Sequence, residues 1–153
     1  MKMEDVELIL RFLALRHLDN FRGGMQDFLD RYMIRSQGFN PEDLAFLETS
    51  FKTTVTICCD LFEENVFRSY DATTGQWQDR PHKSLADAEM VAVSRHLDKA
   101  TQLRSKKAEL LNATQALFQR HPPGTFTGAA NTKEDVQNRI RLFEQMIAGV
   151  LQG

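Results

Sequence analysis

Four histidines, two cysteines and one glycine-bounded loop are the residues here whose types could carry metal, thiol or phosphate chemistry. His17, His82, His96 and His121 lie far apart, and no two have the spacing by which one helix face offers two metal ligands. Cys58 and Cys59 are sequence neighbours. A vicinal disulfide is strained and neither thiol has a spaced partner for zinc, so the pair reads as two small core hydrophobes on a helix. Gly124-Thr-Phe-Thr-Gly128, followed by Asn131-Thr132-Lys133, places a small polar loop before a helix N-terminus, where backbone N–H groups can hold phosphate. It lacks the Walker spacing, and a plain loop leading into a helix is expected. There is no serine or cysteine elbow motif and no convergent acid, base or nucleophile. The chain is therefore read as a non-enzyme, with no metal and no cofactor.

Charge is segregated along the chain. Residues 41–64 carry Glu42, Asp43, Glu48, Asp60, Glu63 and Glu64 against Lys52 alone. Residues 80–107 reverse this, with Arg80, Lys83, Arg95, Lys99, Arg104, Lys106 and Lys107 facing Asp87, Glu89 and Asp98. Such a basic stretch could contact phosphates. Arg68, Trp77, Arg80, His82, Arg104, Lys106 and Lys107 are accordingly the candidate binding residues, since aromatic and arginine groups together make interface hot spots. A solvated helix face, with Trp77 folded over the helices, is the plainer expectation.

These residues must be positioned by helices. Asp5 to Leu18 puts Val6, Leu10, Leu13 and His17 on one line and Leu8, Phe12 and Leu15 on another. A helix apolar on most sides is buried on several, so this segment is expected to organise the fold. Glu7 and Arg11 form its polar line in the favourable carboxylate-first order, and are expected to be a structural pair, at least partly buried under the segment around Phe67 and Arg68. Met25, Phe28, Leu29, Tyr32 and Met33 mark a second helix between Gly24 and Gly38. Asn40-Pro41, with Glu42 and Asp43 in the first turn, starts a third, along which Leu44, Leu47, Phe51, Val55, Cys58 and Phe62 keep a helical period. Threonine and β-branched residues from Phe51 to Cys59 favour a strand. The unbroken period favours a helix, and a helix is expected.

Asp71-Ala-Thr-Thr-Gly75, flanked by Phe67 to Tyr70 and Gln76 to Gln78, suits a loop or a two-stranded ribbon. Ser84 is expected to cap a fourth helix carrying Leu85, Ala88, Val91, Ala92 and Leu97. A fifth runs from Leu103 to Phe118 and stops before His121-Pro122-Pro123. Thr132, with Asp135 three residues on, opens a sixth bearing Val136, Ile140, Phe143, Met146, Ile147 and Val150. The expected fold is thus all-α: a single-domain bundle spanning residues 1–153, of about six helices, with one irregular loop or small β-ribbon near residues 66–80.

The bulk numbers agree with such a domain. The 153 residues are enough to bury roughly 70% of the unfolded surface. Hydrophobic content of 42%, charged content of 26% and a net charge of −2 exclude a disordered chain and a uniformly basic nucleic-acid binder. No apolar run spans a bilayer, acidic residues stand where a signal peptide would be basic and apolar, and a cytoplasmic location with no membrane contact is expected.

Four stretches taken together, Asp5 to Leu15, Gln26 to Met33, Asn65 to Arg68 and Asn131 to Phe143, resemble the helical C-terminal part of bacterial proteins in the family called domain of unknown function 262. That family is related to modification-dependent restriction systems. Its ParB-like N-terminal domain, marked by an Asp-Gly-Gln-Gln-Arg type motif, has no counterpart here, and His121-Pro122-Pro123 does not supply a His-Asn-His nuclease pattern. The resemblance implies a non-catalytic helical half that scaffolds or positions a partner in nucleic-acid defence. The implied partner is a ParB-like catalytic half, or a second copy of the chain. A nucleic-acid-binding module using residues 80–107 is the alternative.

Overall fold

The computed structural model describes residues 3–128 and 131–153. In chain order the elements are α1 (Met3–Leu15), α2 (Met25–Ser36), α3 (Pro41–Phe62), β1 (Arg68–Asp71), β2 (Gln76–Pro81), α4 (Lys83–Ser94), α5 (Ala100–Ser105), α6 (Lys107–Arg120), α7 (Gly124–Thr127) and α8 (Lys133–Gln152). The mostly helical fold with a small ribbon is as expected, but there are eight α-helices among the described residues rather than about six. One extra helix arises because the expected fifth breaks at Lys106, whose backbone leaves helical geometry (φ −114°, ψ 25°), giving α5 and α6. The other is α7, a single turn inside the stretch read as a polar loop. Residues 129–130 of that stretch lie outside the described residues.

The central element is α4. Ten consecutive residues, Ser84 to Val93, are buried, so this helix has no solvent face along most of its length. α8, α1 and α3 pack around it, with α7 against one end. The expectation that the segment from Asp5 to Leu18 organises the fold is therefore corrected. α1 buries Arg11, Phe12, Ala14 and Leu15, leaves Leu8 to Leu10 only half-buried and exposes Val6. It ends at Leu15 and a short 3-10 turn, Leu18–Asn20, follows. The solvated face expected for residues 80–107 does not extend to this part of α4, where even Asp87 and Glu89 are buried.

α3 is helical throughout, including the disputed Phe51 to Cys59. Its start is fixed by a reciprocal cap: the Asp43 N–H donates to the Asn40 side chain at 2.8 Å, and the Asn40 N–H to the Asp43 carboxylate at 3.0 Å, with Pro41 at the first helical position. Thr132 and Asp135 cap α8 in the same way. α4 departs from its expected cap. Its N-cap is His82, and the Ser84 hydroxyl instead donates to the Phe126 carbonyl at 2.7 Å, tying α4 to α7.

The two strands pair antiparallel, with Tyr70 opposite Trp77 and Asp71 opposite Gln76. Asp71 accepts from the N–H groups of Thr73 and Thr74, and Gly75, at φ +71°, completes the turn. Edge-to-face rings run from Trp77 through Phe118 and Phe126 to Phe143, which seats the ribbon on α6 and links it to the core.

Candidate functional site

The candidate binding residues do not converge. Arg68, Trp77 and Arg80 stand on the ribbon, and His82 begins α4 with its ring bonded to Gln78 at 2.9 Å. Trp77 is half-buried, edge-on to Tyr70 and Phe118 with centroids 5.3 and 6.2 Å away. Arg104 and Lys107, on α5 and α6, meet the acidic end of α3: Arg104 pairs with Asp60 at 2.8 Å and Lys107 with Glu63 at 2.9 Å. Lys106 donates to the Val150 carbonyl at 3.0 Å. Two ion pairs thus join the acidic and basic stretches, which are apart in sequence.

Around α4 lies a set of buried polar groups. Arg11 donates through Nε and Nη2 to both carboxylate oxygens of Asp87, and Glu7 stands 3.6 Å from the same guanidinium while also accepting from Lys83 at 2.8 Å. Arg11 is thus buried beneath α4, not beneath the ribbon, and its main partner is Asp87 rather than Glu7. Hydrogen bonding and charge from Lys83, with Arg11, hold the Glu7 carboxyl below its usual value against partial burial. Arg139 of α8 is also buried, and donates to Asn131 at 2.8 Å. Glu89, fully buried, accepts the Phe67 N–H at 3.0 Å. Phe67 has φ +59°, so Glu89 holds a backbone bend that an L-residue seldom adopts, at the start of the ribbon.

Cys58 is buried against this group, but Cys59 is exposed, which corrects the reading of both as core. Consecutive helical residues point about 100° apart, and that step carries Cys59 from the buried side of α3 onto its exposed side. Among the described residues, no three His, Cys, Asp or Glu side chains form a group that could hold a metal ion. No described helix is long and apolar enough to cross a membrane.

The feature missed in the sequence is the corner between α2 and α3. All five strictly buried residues of α3, Thr54, Ile57, Cys58, Leu61 and Phe62, fall in its second half. The first half is mostly exposed, with Leu44 53% and Phe46 62% exposed, although Arg16 lies over the Phe46 ring. On α2, Met33 and Ile34 are 52% and 67% exposed. Met33 and Leu44 had been placed on core stripes by their spacing. Spacing shows which residues share a face, but not whether another element covers that face.

Compared with protein-family models, curated proteins and solved structures, the chain matches none.

Proposed function

We propose that this chain is a helical scaffolding and interaction domain, which works by binding a protein partner and performs no catalytic step of its own. The observation that carries the reading is the α2–α3 corner, where Met33, Ile34, Leu44 and Phe46 are four of the five large hydrophobic side chains exposed among the described residues. Large apolar side chains left exposed on two successive helices are what an interaction surface offers a partner. The resemblance to the helical part of the family called domain of unknown function 262 supplies the partner class, a ParB-like half in nucleic-acid defence. A second copy of the chain is the other arrangement.

Light scattering across a concentration series, with and without an added ParB-like domain, tests this reading. A complex that forms with the wild type and is lost in Leu44→Ser/Phe46→Ser, at unchanged melting temperature, is the expected result. Mass that stays monomeric in every mixture would overturn it. Nucleic-acid binding through residues 80–107 has less support, because Arg104 and Lys107 are already paired within the fold. Tight, salt-sensitive DNA or RNA binding that charge reversal at Arg104, Lys106 and Lys107 abolishes would restore it.

A further inference from the structure

A cavity of about 150 Å³ lies between α1 and α2. Ala14 and Phe28 contribute apolar wall, and His17, Tyr32, Arg31 and Arg35 contribute the polar groups. Tyr32 is only 8% exposed, and its hydroxyl has no hydrogen-bond partner among the described residues. A buried phenol without a partner is unusual, since Tyr O–H groups inside proteins find an acceptor. Arg16 does not line the cavity, but it lies close enough for its charge to act on both Tyr32 and His17. Its guanidinium lies 5.9 Å from the Phe12 ring centroid and 5.6 Å from that of Phe46, and its Nη1 is buried without a hydrogen-bond partner. None of Arg16, Arg31 and Arg35 makes an ion pair among the described residues.

The chemistry of this cluster narrows what would fit. The phenol O–H needs an acceptor oxygen, and the three guanidinium groups need negative charge; an oxyanion supplies both. Three unpaired arginines balance a dianion better than a single carboxylate, and guanidinium forks match the spacing of phosphate oxygens. Size sets what the cavity can enclose. At about 30 Å³ per water the cavity has room for about five water volumes, which is enough to enclose a phosphoryl group. Burial, with the charges of Arg16 and Arg35, pushes His17 below its usual value, so the ring is neutral at pH 7 and can take part as a donor.

We propose that this cavity is a binding site for a compact dianionic oxyanion, inorganic phosphate or the phosphoryl group of a small monoester. Tyr32 donates its hydroxyl to one oxygen, Arg31 and Arg35 close over the others from α2, and Arg16 supplies charge from the α1 side. The site touches the exposed apolar residues only where Arg16 lies over the Phe46 ring, and neither proposal requires the other.

NMR titration of the full chain with inorganic phosphate, at ionic strength held constant with chloride, tests the assignment. Saturable shifts at His17, Tyr32 and Arg35 are expected, together with a rise in the His17 titration midpoint as the bound dianion favours its cation. Arg35→Gln should weaken binding about tenfold or more, the loss expected for a charge-assisted hydrogen bond. Tyr32→Phe, which removes one oxygen and no ring, should weaken it a few-fold. Arg31→Gln, a surface change, repeats the test if Arg35→Gln disturbs the fold. O-phosphoserine distinguishes the sources: competition with phosphate assigns the site to a monoester, and its exclusion assigns it to free phosphate. Shifts no larger than those caused by chloride would overturn the proposal. So would unchanged affinity in both arginine variants, or displacement of phosphate by single-stranded DNA, whose diester linkages are monoanionic.

Discussion

Arg11 on α1 and Asp87 on α4 form a two-pronged ion pair with both side chains buried, 76 residues apart in sequence. Burial pushes the Asp87 carboxyl up, and the hydrogen bonds and charge of Arg11 oppose it, with a smaller contribution from Arg139. Burial also acts against the Arg11 cation, but Asp87 outweighs it and the guanidinium is held more firmly than usual. The fork geometry favours the ionised pair, because each prong is a charge-assisted hydrogen bond. The pair therefore sets how α1 lies on α4.

Removing one partner should be far worse than removing both. Arg11→Ala leaves a buried carboxylate uncompensated and is expected to cost about 3–5 kcal/mol, whereas Arg11→Met/Asp87→Leu should recover most of that loss. Chemical denaturation of the two variants measures the difference. A double variant including Glu7→Gln instead should not recover it, since Glu7 is half-exposed and is held by Lys83 as well. Equal, near-wild-type stability of the single variant would mean that the pair orients nothing.

Glu89 should make stability fall as pH rises. Burial holds its carboxyl well above the ordinary 4.5, with the Phe67 N–H acting in the other direction. The unfolded chain releases this proton as pH passes 4.5, while the fold retains it. Its contribution is therefore fully present below 4.5 and is lost above it, at up to about 1.4 kcal/mol per pH unit for one proton. Glu89→Gln keeps an acceptor for Phe67 and removes the titration. Relative to the wild type it should gain stability from pH 5 to pH 7, as read from denaturation midpoints. A constant difference between the two across that range would show that Glu89 is ionised in the fold.

The two thiols should behave differently although they are neighbours. Cys59 is exposed, and Cys58 is buried, with burial and then the nearby Glu89 carboxyl pushing its thiol up. Reactivity follows the accessible thiolate, so one equivalent of iodoacetamide should react in the native state and a second only on unfolding. Peptide mapping identifies which thiol reacts first. Rapid native alkylation of Cys58 would show that α3 and α4 separate easily.

What the residues revealed beforehand was periodicity and capping. Asn40-Pro41 and Thr132 with Asp135 marked the starts of α3 and α8, because caps are local and short-range. The helix through Phe51 to Cys59 was legible because an apolar period outlasts a local preference for strand. The place of α4 was not, because its burial depends on Arg11 answering Asp87 and on Phe67 answering Glu89, partners far away in the chain. The pairing of Asp60 with Arg104 and of Glu63 with Lys107 was hidden for the same reason. Tyr32 carried no sequence signal at all: it sits at a core position of α2, and only the fold shows that its hydroxyl is left without a partner among the described residues.

Phe126 is where a stretch read as a loop should behave as core. It is fully buried on the one-turn α7, with ring centroids 4.8 Å from Phe118, 5.9 Å from Phe143 and 6.0 Å from His121. Its carbonyl accepts from Ser84 of α4, and Gly128, at φ +79°, turns the chain away. A Cβ at Gly128 would lie 3.0 Å from the Ser84 hydroxyl oxygen, so side chain and backbone together exclude substitution there. Phe126→Ala is expected to lose about 3–5 kcal/mol, as for an emptied aromatic core site. Ser84→Ala should lose about 1 kcal/mol, the net worth of one hydrogen bond. Gly128→Ala should lose more than the roughly 1 kcal/mol that alanine gains at a compatible site. Urea denaturation compares the three. A Phe126→Ala variant as stable as the wild type would mean that the aromatic series ends at Phe118 and that α7 is a surface turn.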